Sequence, residues 1–506
     1  MLKVKQKETL IFLTVIFCTI IVSCFLTLRY FPVEPDAANS PLVWRAFLTT
    51  GFAAFRDWSP TPDNWYFTVY PVNFIFFSLF AHDGRIPLAL STSFFVVFTP
   101  LIIAIVIHFI KKNWSTILIP LFLTVLSAYT YNYGFIAHPF SHYSTNFYGV
   151  LIFAISFYNY KKNSFLLAAI CMLIALLVSV SDPWFLATFF LPLLLIYIYF
   201  SWKKVTSMKI SILYLVTFII AMTHVVTRLL GLPVQRFHLV PWQQWLINAK
   251  WSVHVFGKSL NLFFIDNSIT VNLSFIVWGM VLVYSFFTCW KRSNDAYFIA
   301  TFSLLTILSI FSSFIISYDL PSDLSMRFFV NAICFLLTLT ILGLAFKKNI
   351  FIYLVLILFF ATSLYSHYEN KFPISDQKIQ TNAYMDFLNA HHLKFGYGDY
   401  WKLSNNVNWL SDGSIHITPV LFDNVTYKIK FNSVRSQTMK SWLTEEYIQK
   451  SPDRQFIAIP AIENAEPNSE ANRRLSAIKQ QIGAPDEILT FQEMTIYVYN
   501  RKIGLN

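Results

Sequence analysis

The sequence predicts a polytopic α-helical membrane protein of about 11 transmembrane helices that ends in a C-terminal extracytoplasmic α/β domain. Three observations predict it. Of 506 residues 56% are hydrophobic and only 13% charged, against about 25% charged in an ordinary soluble domain. Apolar runs of membrane-crossing length recur as far as residue 366 and then stop. Basic pairs recur at every second connection between those runs, which is the charge bias of cytoplasmic loops. A disordered chain and an ordinary globular enzyme are both excluded. The net charge of +12 would suggest nucleic acid in a soluble protein. Here most of the excess flanks apolar runs and sets topology, so the expected partner is membrane lipid and no nucleic acid.

The first run, 9–28, has 20 residues, follows Lys3, Lys5 and Lys7, and lacks a small-residue cleavage site. It reads as an uncleaved span with a cytoplasmic N-terminus. Further spans are expected at 88–109, 115–131, 143–159, 165–181, 184–202, 209–231, 270–290, 296–318, 327–346 and 350–366. Lys111-Lys112, Lys161-Lys162, Lys203-Lys204, Lys291-Arg292 and Lys347-Lys348 are the basic pairs, and the short loops at 132–142 and 182–183 contain no Lys or Arg. The apolar segment 66–81 holds Pro71 and has only 16 residues. If it crossed, every later basic pair would lie outside, so it reads as an interfacial or re-entrant helix. The expected division is therefore a membrane domain, 1–366, with external loops 29–87 and 232–269, and an α/β domain, 367–506. In that tail, strand-like runs fall at 414–420, 426–431, 455–459 and 495–499, and helical patterns near 380–391, 437–449 and 467–483.

Cys18, Cys24, Cys171, Cys289 and Cys334 all sit in apolar runs without metal-ligand spacing and read as small buried hydrophobes. No P-loop, dinucleotide glycine fingerprint, HExxH or GxSxG motif occurs. Chemistry must then come from polar residues near membrane depth, and these gather on the expected external side. Glu34-Pro35-Asp36 follows the first span by six residues, where a carboxylate can act as general base toward a hydroxyl or stand simply as a solvated loop acid. Ser181-Asp182-Pro183-Trp184 makes a tight turn between apolar runs, and its acid reads either as a functional carboxylate or as a helix N-cap with Pro at the first position. Arg327 can clasp a phosphate or snorkel to the headgroups. Arg236, Lys250 and Lys258 are weaker phosphate candidates beside Trp242, Trp245 and Trp251, in a loop expected to hold an amphipathic surface helix. His138 and His142 are four residues apart but lack a third ligand, so no metal site is assigned and hydrogen bonding to substrate or loop backbone is expected.

The eleven-span layout, the E-x-D sequence after the first span, surface helices and the soluble tail together resemble the GT-C superfamily of polyprenyl-phosphate-sugar-dependent glycosyltransferases. Within it the chain looks most like the phage-type serotype-converting O-antigen glucosyltransferases. The supporting sequences are Ser181-Asp182-Pro183-Trp184, Ser325-Met326-Arg327-Phe328-Phe329, Gly398-Asp399-Tyr400-Trp401 and Trp409-Leu410-Ser411-Asp412-Gly413. The resemblance implies an inverting transfer of a hexose, expected to be glucose, from undecaprenyl phosphate to a lipid-linked O-antigen repeat unit at the periplasmic face of a bacterial inner membrane. It implies Asp36 as the base with Glu34 as companion and matches Arg327 to a recurrent arginine, whose contact with the donor phosphate is inferred. Asp182 has positional similarity only and is assigned substrate hydroxyl binding or active-site structure, while His138, His142 and Lys258 are expected as substrate-binding residues from the residues themselves, not from the resemblance. Pro35 separates two acids that are adjacent in many relatives, which leaves the use of a divalent cation open; no cofactor is assigned. The alternatives are a lipid-linked oligosaccharide flippase and an O-antigen ligase or polymerase. A flippase would show related halves, and a ligase would carry its large loop between spans.

Overall fold

The structure is a computed structural model that describes residues 2–235, 237–370, 374–460 and 469–504. Arg236 lies outside the described residues. The chain forms two compact units. One comprises Met1–Phe31, Pro62–Phe76 and Leu88–Lys371; the other comprises Pro32–Thr61, Phe77–Pro87 and Phe372–Asn506. The segment 29–87 is thus shared between the two.

The first unit is helical. Among the described residues five helices are long and apolar enough to cross a membrane: Leu10–Tyr30 within Leu2–Tyr30, Arg85–Ile110 (its first residues belonging to the other unit), Ser268–Trp290, Asn294–Ser317 and Ile350–Glu369. Shorter apolar helices run Phe165–Ser181, Leu186–Trp202, Met208–Met222 and Val330–Phe346. His142–Lys162 adds 21 residues, or roughly 31 Å at 1.5 Å per residue. Val69–Phe80 has 12 residues, roughly 18 Å, well short of a hydrocarbon core of about 30 Å.

Two expected spans are interrupted. The 115–131 run folds as Trp114–Ile117, Ile119–Thr124 and Ala128–Tyr133. Pro120 near the start of the second piece cannot donate to the preceding turn, and extended Ser127 caps the third by accepting from the Thr130 amide. The 209–231 run ends as a long helix at Met222, because His224 adopts a positive φ of 52° before the short Val225–Leu229 turn. The loop 232–269 does contain a helix, Trp242–Ser259, whose Asn248 side chain donates to the Tyr318 carbonyl at 2.7 Å.

All five basic pairs gather at one end of this unit. Lys161 pairs with Asp295 at 2.6 Å, next to the Lys291-Arg292 connection. Asn163 accepts from the Ser207 amide at 2.9 Å, which brings in the Lys203-Lys204 connection. Lys347 lies over Tyr284, and Lys111 lies over Phe346. The sequence spacing of the pairs therefore corresponds to a real three-dimensional segregation of charge. Since His142 opens the helix that Lys161 and Lys162 close, the polar candidates of this unit occupy the opposite end.

The second unit is built on a mixed five-stranded sheet. Its strands are β2 (Phe395–Gly398), β3 (His416–Pro419), β5 (Gln455–Ile459), β6 (Glu487–Phe491) and β7 (Met494–Tyr499), in the order β3-β2-β5-β7-β6. β2 runs parallel to β3 and β5, and β7 is antiparallel to β5 and β6. Residues alternate between faces with the period of two that a pleated strand imposes. Phe395, Tyr397, Ile457, Ile459, Tyr497 and Tyr499 pack with Leu475 and Ile478 of the helix Glu470–Ile482. Phe456, Ala458, Ile496 and Val498 pack with Tyr384 and Leu388 of the helix Ile374–Ala390. The result is a helix–sheet–helix sandwich.

The tail departs from expectation in several places: β6 and the helix Asn405–Leu410 are unforeseen, and three further differences have a local cause. β2 was hidden by two glycines, yet Gly396 is needed there: a Cβ would stand 2.5 Å from the Phe456 carbonyl oxygen. The 426–431 run makes only a bridge between Phe422 and Ile429, because Asp423 accepts the Val425 and Thr426 amides and turns the chain. The expected helix 437–449 is instead β4 (Thr438–Met439), a 3₁₀ turn and the helix Glu445–Lys450, which Thr444 caps.

The segment after the first membrane helix is woven into this unit. β1 (Trp58–Ser59) pairs antiparallel with β4. Asp57 accepts from the Ser441 amide at 2.9 Å and from its hydroxyl at 2.5 Å. Arg45, on the helix Asn39–Thr50, grips Asp83 with two nitrogens at 2.6 and 3.0 Å and reaches Asp412 at 2.9 Å. The Trp409 indole donates to the Asp83 carbonyl at 2.9 Å.

Candidate functional site

In the first unit the tight turn after Phe165–Ser181 holds a buried carboxylate. Asp182, fully buried, accepts at Oδ2 from His142 Nδ1 (2.7 Å) and from the Thr145 hydroxyl (2.6 Å). Its Oδ1 accepts from the Trp184 amide at 3.0 Å. One oxygen thus organises the Asp-Pro-Trp turn, and the other orients an imidazole. Burial alone would raise the Asp182 carboxyl; His142, with the Thr145 and Trp184 hydrogen bonds, outweighs it and holds the group below its ordinary range.

A second acid joins the pair. The segment from Pro62 docks on the same helix end, with Asn64 Nδ2 donating to the Val180 carbonyl at 2.6 Å and the Phe67 amide donating to the Ser181 hydroxyl at 2.9 Å. Burial and the like charge of Asp182 push Asp63 up to about 6, against the opposing pull of His142 and Arg327. Two acids whose environments drive them apart, beside an imidazole, form the arrangement that handles protons near neutral pH.

Arg327 comes from the 3₁₀ turn Asp323–Phe328. Its guanidinium carbon lies 4.9 Å from the Phe328 ring and 5.9 Å from Phe135. Its Nε is buried without a hydrogen-bond partner among the described residues, a donor suited to an anion. Phe328 also packs against His142 at 5.0 Å and Trp184 at 4.8 Å, so the cation and the His–Asp pair share an aromatic wall. His138 takes another role: its Nδ1 accepts from the Phe140 amide at 3.0 Å, and its ring tilts against Phe135.

Lys258 stands in a different group. It pairs with Asp266 at 3.4 Å and lies 4.7 Å over the Tyr129 ring, whose hydroxyl donates to Asp323 at 2.7 Å. Lys258, Asp266 and Tyr129 line part of a cleft of about 330 Å³ with Asn132, Ser363 and Glu369.

In the second unit the Glu34-Pro35-Asp36 sequence forms a turn closed by the Ala37 amide on the Glu34 carbonyl at 3.0 Å. Asp36 Oδ1 accepts from the Tyr400 hydroxyl at 2.5 Å and from Gln437 Nε2 at 2.9 Å, which fixes the carboxylate plane. Arg435 stacks on the Tyr400 ring at 3.5 Å. Burial and the Asp36 charge raise the Tyr400 phenol, so Tyr400 remains a donor. Asn39 and Asn405 complete this polar floor.

Sequence reasoning named Asp36, Asp182, His142 and Arg327 but gave Asp63, Tyr400, Gln437 and Arg435 no role at the site. One signal for Asp63 was present. Asp63-Asn64-Trp65 repeats the Asp-x-Trp spacing of Asp182-Pro183-Trp184. Gln437 and Arg435 lie in a loop without pattern, about 400 residues from Asp36.

No protein-family model and no curated protein matches the chain. Among solved structures it is similar to the oligosaccharyltransferase of Archaeoglobus fulgidus, crystallised with a disulfide-tethered acceptor peptide containing the NVT sequon. That similarity has a TM-score of 0.43 and 11% sequence identity, over 96% of this chain and 74% of that one.

Proposed function

We propose that this protein is an inverting GT-C-type membrane glycosyltransferase that moves a hexose from undecaprenyl phosphate to a lipid-linked O-antigen repeat unit at the periplasmic face of a bacterial inner membrane. The observation that carries the reading is the Asp36 carboxylate, which follows the first membrane helix and whose Oδ1 is held by Tyr400 and Gln437. A base fixed in this way needs little reorganisation as it takes a proton.

In this reading the acceptor hydroxyl attacks the anomeric carbon while its proton passes to Asp36. The carbon–oxygen bond to phosphate breaks, and the phosphate departs with the electron pair. Within the first unit, taken by itself, Arg327 is the cation suited to a donor phosphate; its buried Nε, without a hydrogen-bond partner among the described residues, supports that role. One displacement inverts the anomeric centre, so no covalent intermediate is needed. Glu34 accompanies the base. His142 and Asp182 orient substrate hydroxyls with Asp63 as their proton partner, and His138 shapes the loop beside them.

The test is expression in a bacterium that makes an unmodified O-antigen and supplies undecaprenyl-phosphate-glucose, with mass spectrometry of the polysaccharide repeat. The expected result is one added hexose per repeat, abolished by Asp36→Asn. No added hexose from a correctly inserted protein would refute the assignment.

A further inference from the structure

The basic end of the first unit does more than carry scattered charges. Two clefts open there, of about 480 and 520 Å³. Lys203 and Lys291 line the first, together with Tyr199, Trp290, Ser293 and Tyr297. Lys291, Arg292 and Lys347 line the second, with Tyr284 and Phe287. Lys291 borders both, and neither cleft is lined by a carboxylate among the described residues.

These four cations come from three separate connections, so folding converges them against mutual repulsion. Among the described residues none has an acid within 4.0 Å, whereas nearby Lys161 pairs with Asp295 at 2.6 Å. Lys203 stacks at 4.6 Å on Trp202, and Arg292 Nε donates to the Thr288 carbonyl at 3.3 Å, so two of the heads are held in place. The first cleft also receives the N-terminus of the 24-residue helix Asn294–Ser317, whose dipole favours an anion.

A soluble phosphate would satisfy the charge but not the surroundings. Along the helix Ser268–Trp290, Ile269, Leu273, Ile276, Met280, Val283 and Phe287 are all exposed. Their spacing of three and four residues makes one apolar stripe that ends at Lys291 and Arg292. Basic pockets between membrane helices bind anionic headgroups, and such a stripe offers a track for acyl chains.

We infer that the paired clefts around Lys291 bind an anionic phospholipid bearing two phosphodiester groups, one per cleft, with acyl chains along the exposed face of Ser268–Trp290. The inference does not depend on the glycosyltransferase reading. It uses none of the residues assigned to that reaction and makes no assumption about which compartment the basic end faces.

The test is native mass spectrometry and thermal unfolding of the delipidated full-length protein. The probes are cardiolipin, phosphatidylglycerol, phosphatidylethanolamine and inorganic pyrophosphate. Cardiolipin should be retained at least threefold over phosphatidylglycerol and should raise the unfolding temperature. Lys291→Gln should abolish that preference, while Lys450→Gln, an exposed lysine on the helix Glu445–Lys450, should leave it intact. Equal retention of the two anionic lipids, an unchanged preference in Lys291→Gln, or pyrophosphate binding as strong as cardiolipin binding would overturn the inference. Should Lys291→Gln fail to fold, Lys347→Gln and the wild-type lipid titration decide the matter.

Discussion

Replacing Asp182 by Asn keeps the shape of the side chain and removes its charge. The carboxylate accepts three hydrogen bonds, from His142 at 2.7 Å, Thr145 at 2.6 Å and the Trp184 amide at 3.0 Å. The amide oxygen of Asn can keep the Trp184 bond, so the turn persists. The amide nitrogen then faces two groups that were donating. Hydrogen bonds to charged groups contribute about 1.5–3 kcal/mol each, so losing two amounts to about 3–6 kcal/mol. Thr145 recovers part by rotating its hydroxyl, and His142 by switching tautomer, which sets the expected loss near 3 kcal/mol. Unfolding in detergent micelles, followed by tryptophan fluorescence, measures it. The pH dependence supplies a second reading. Asp182 is depressed in the folded protein, so its stabilisation is present above the unfolded carboxyl value of 3.8 and is lost as pH falls through the folded value. Asp182→Asn should therefore flatten the acid limb of the stability curve. A loss below about 0.5 kcal/mol, within the range of ordinary surface substitutions, would refute the view that this carboxylate organises the helix ends.

Asp63 carries the opposite sign: raised to about 6, it contributes stability that is full below pH 3.8 and is lost as pH rises through 6, and Asp63→Asn should remove that slope from unfolding curves between pH 4 and 6. Tyr400→Phe deletes a donor to Asp36 and should slow hexose transfer about tenfold, the equivalent of about 1.4 kcal/mol, in an in vitro assay with purified protein, while Asp36→Asn abolishes it. Arg327→Ala should weaken binding of the polyprenyl-phosphate donor by at least tenfold in a direct binding measurement; unchanged affinity would return Arg327 to a headgroup anchor.

The helical part was legible because its signals are local. Each apolar run is long enough to announce itself, and the basic pairs mark one end without any knowledge of packing. Where reading failed, the deciding interaction was distant or sat in the backbone. β2 was invisible because Gly396 is chosen for its closeness to Phe456, about 60 residues on. The break at His224 rests on a positive φ that no propensity announces. The same division holds for the site. Asp36 and Asp182 stand out as acids beside apolar runs, where a charge needs a reason. Tyr400, Gln437 and Arg435 acquire meaning only once the sheet domain has folded with the segment that carries Asp36.

That shared folding changes how the tail can be tested. Removing 370–506 is the direct way to ask whether the tail handles an acceptor glycan, yet the deletion would answer a different question. It would strip β1 of β4, Asp57 of Ser441, and Asp36 of Tyr400 and Gln437. Transfer would fail through an unsupported carboxylate, whatever the tail binds. A substitution at an exposed side chain of the tail separates the two. Trp401 is 58% exposed, meets Tyr400 edge-on at 5.0 Å and lies 5.8 Å from the Arg435 guanidinium. An exposed aromatic beside a cation is a surface on which a sugar ring can stack. Trp401→Ala should leave stability within about 0.5 kcal/mol. If the tail positions the glycan, loss of one aromatic contact worth about 0.5–1.5 kcal/mol should raise the acceptor KM twofold to tenfold with kcat preserved. An unchanged KM would remove Trp401 from acceptor binding, and a fall in kcat alone would assign it to the support of Tyr400 and Asp36.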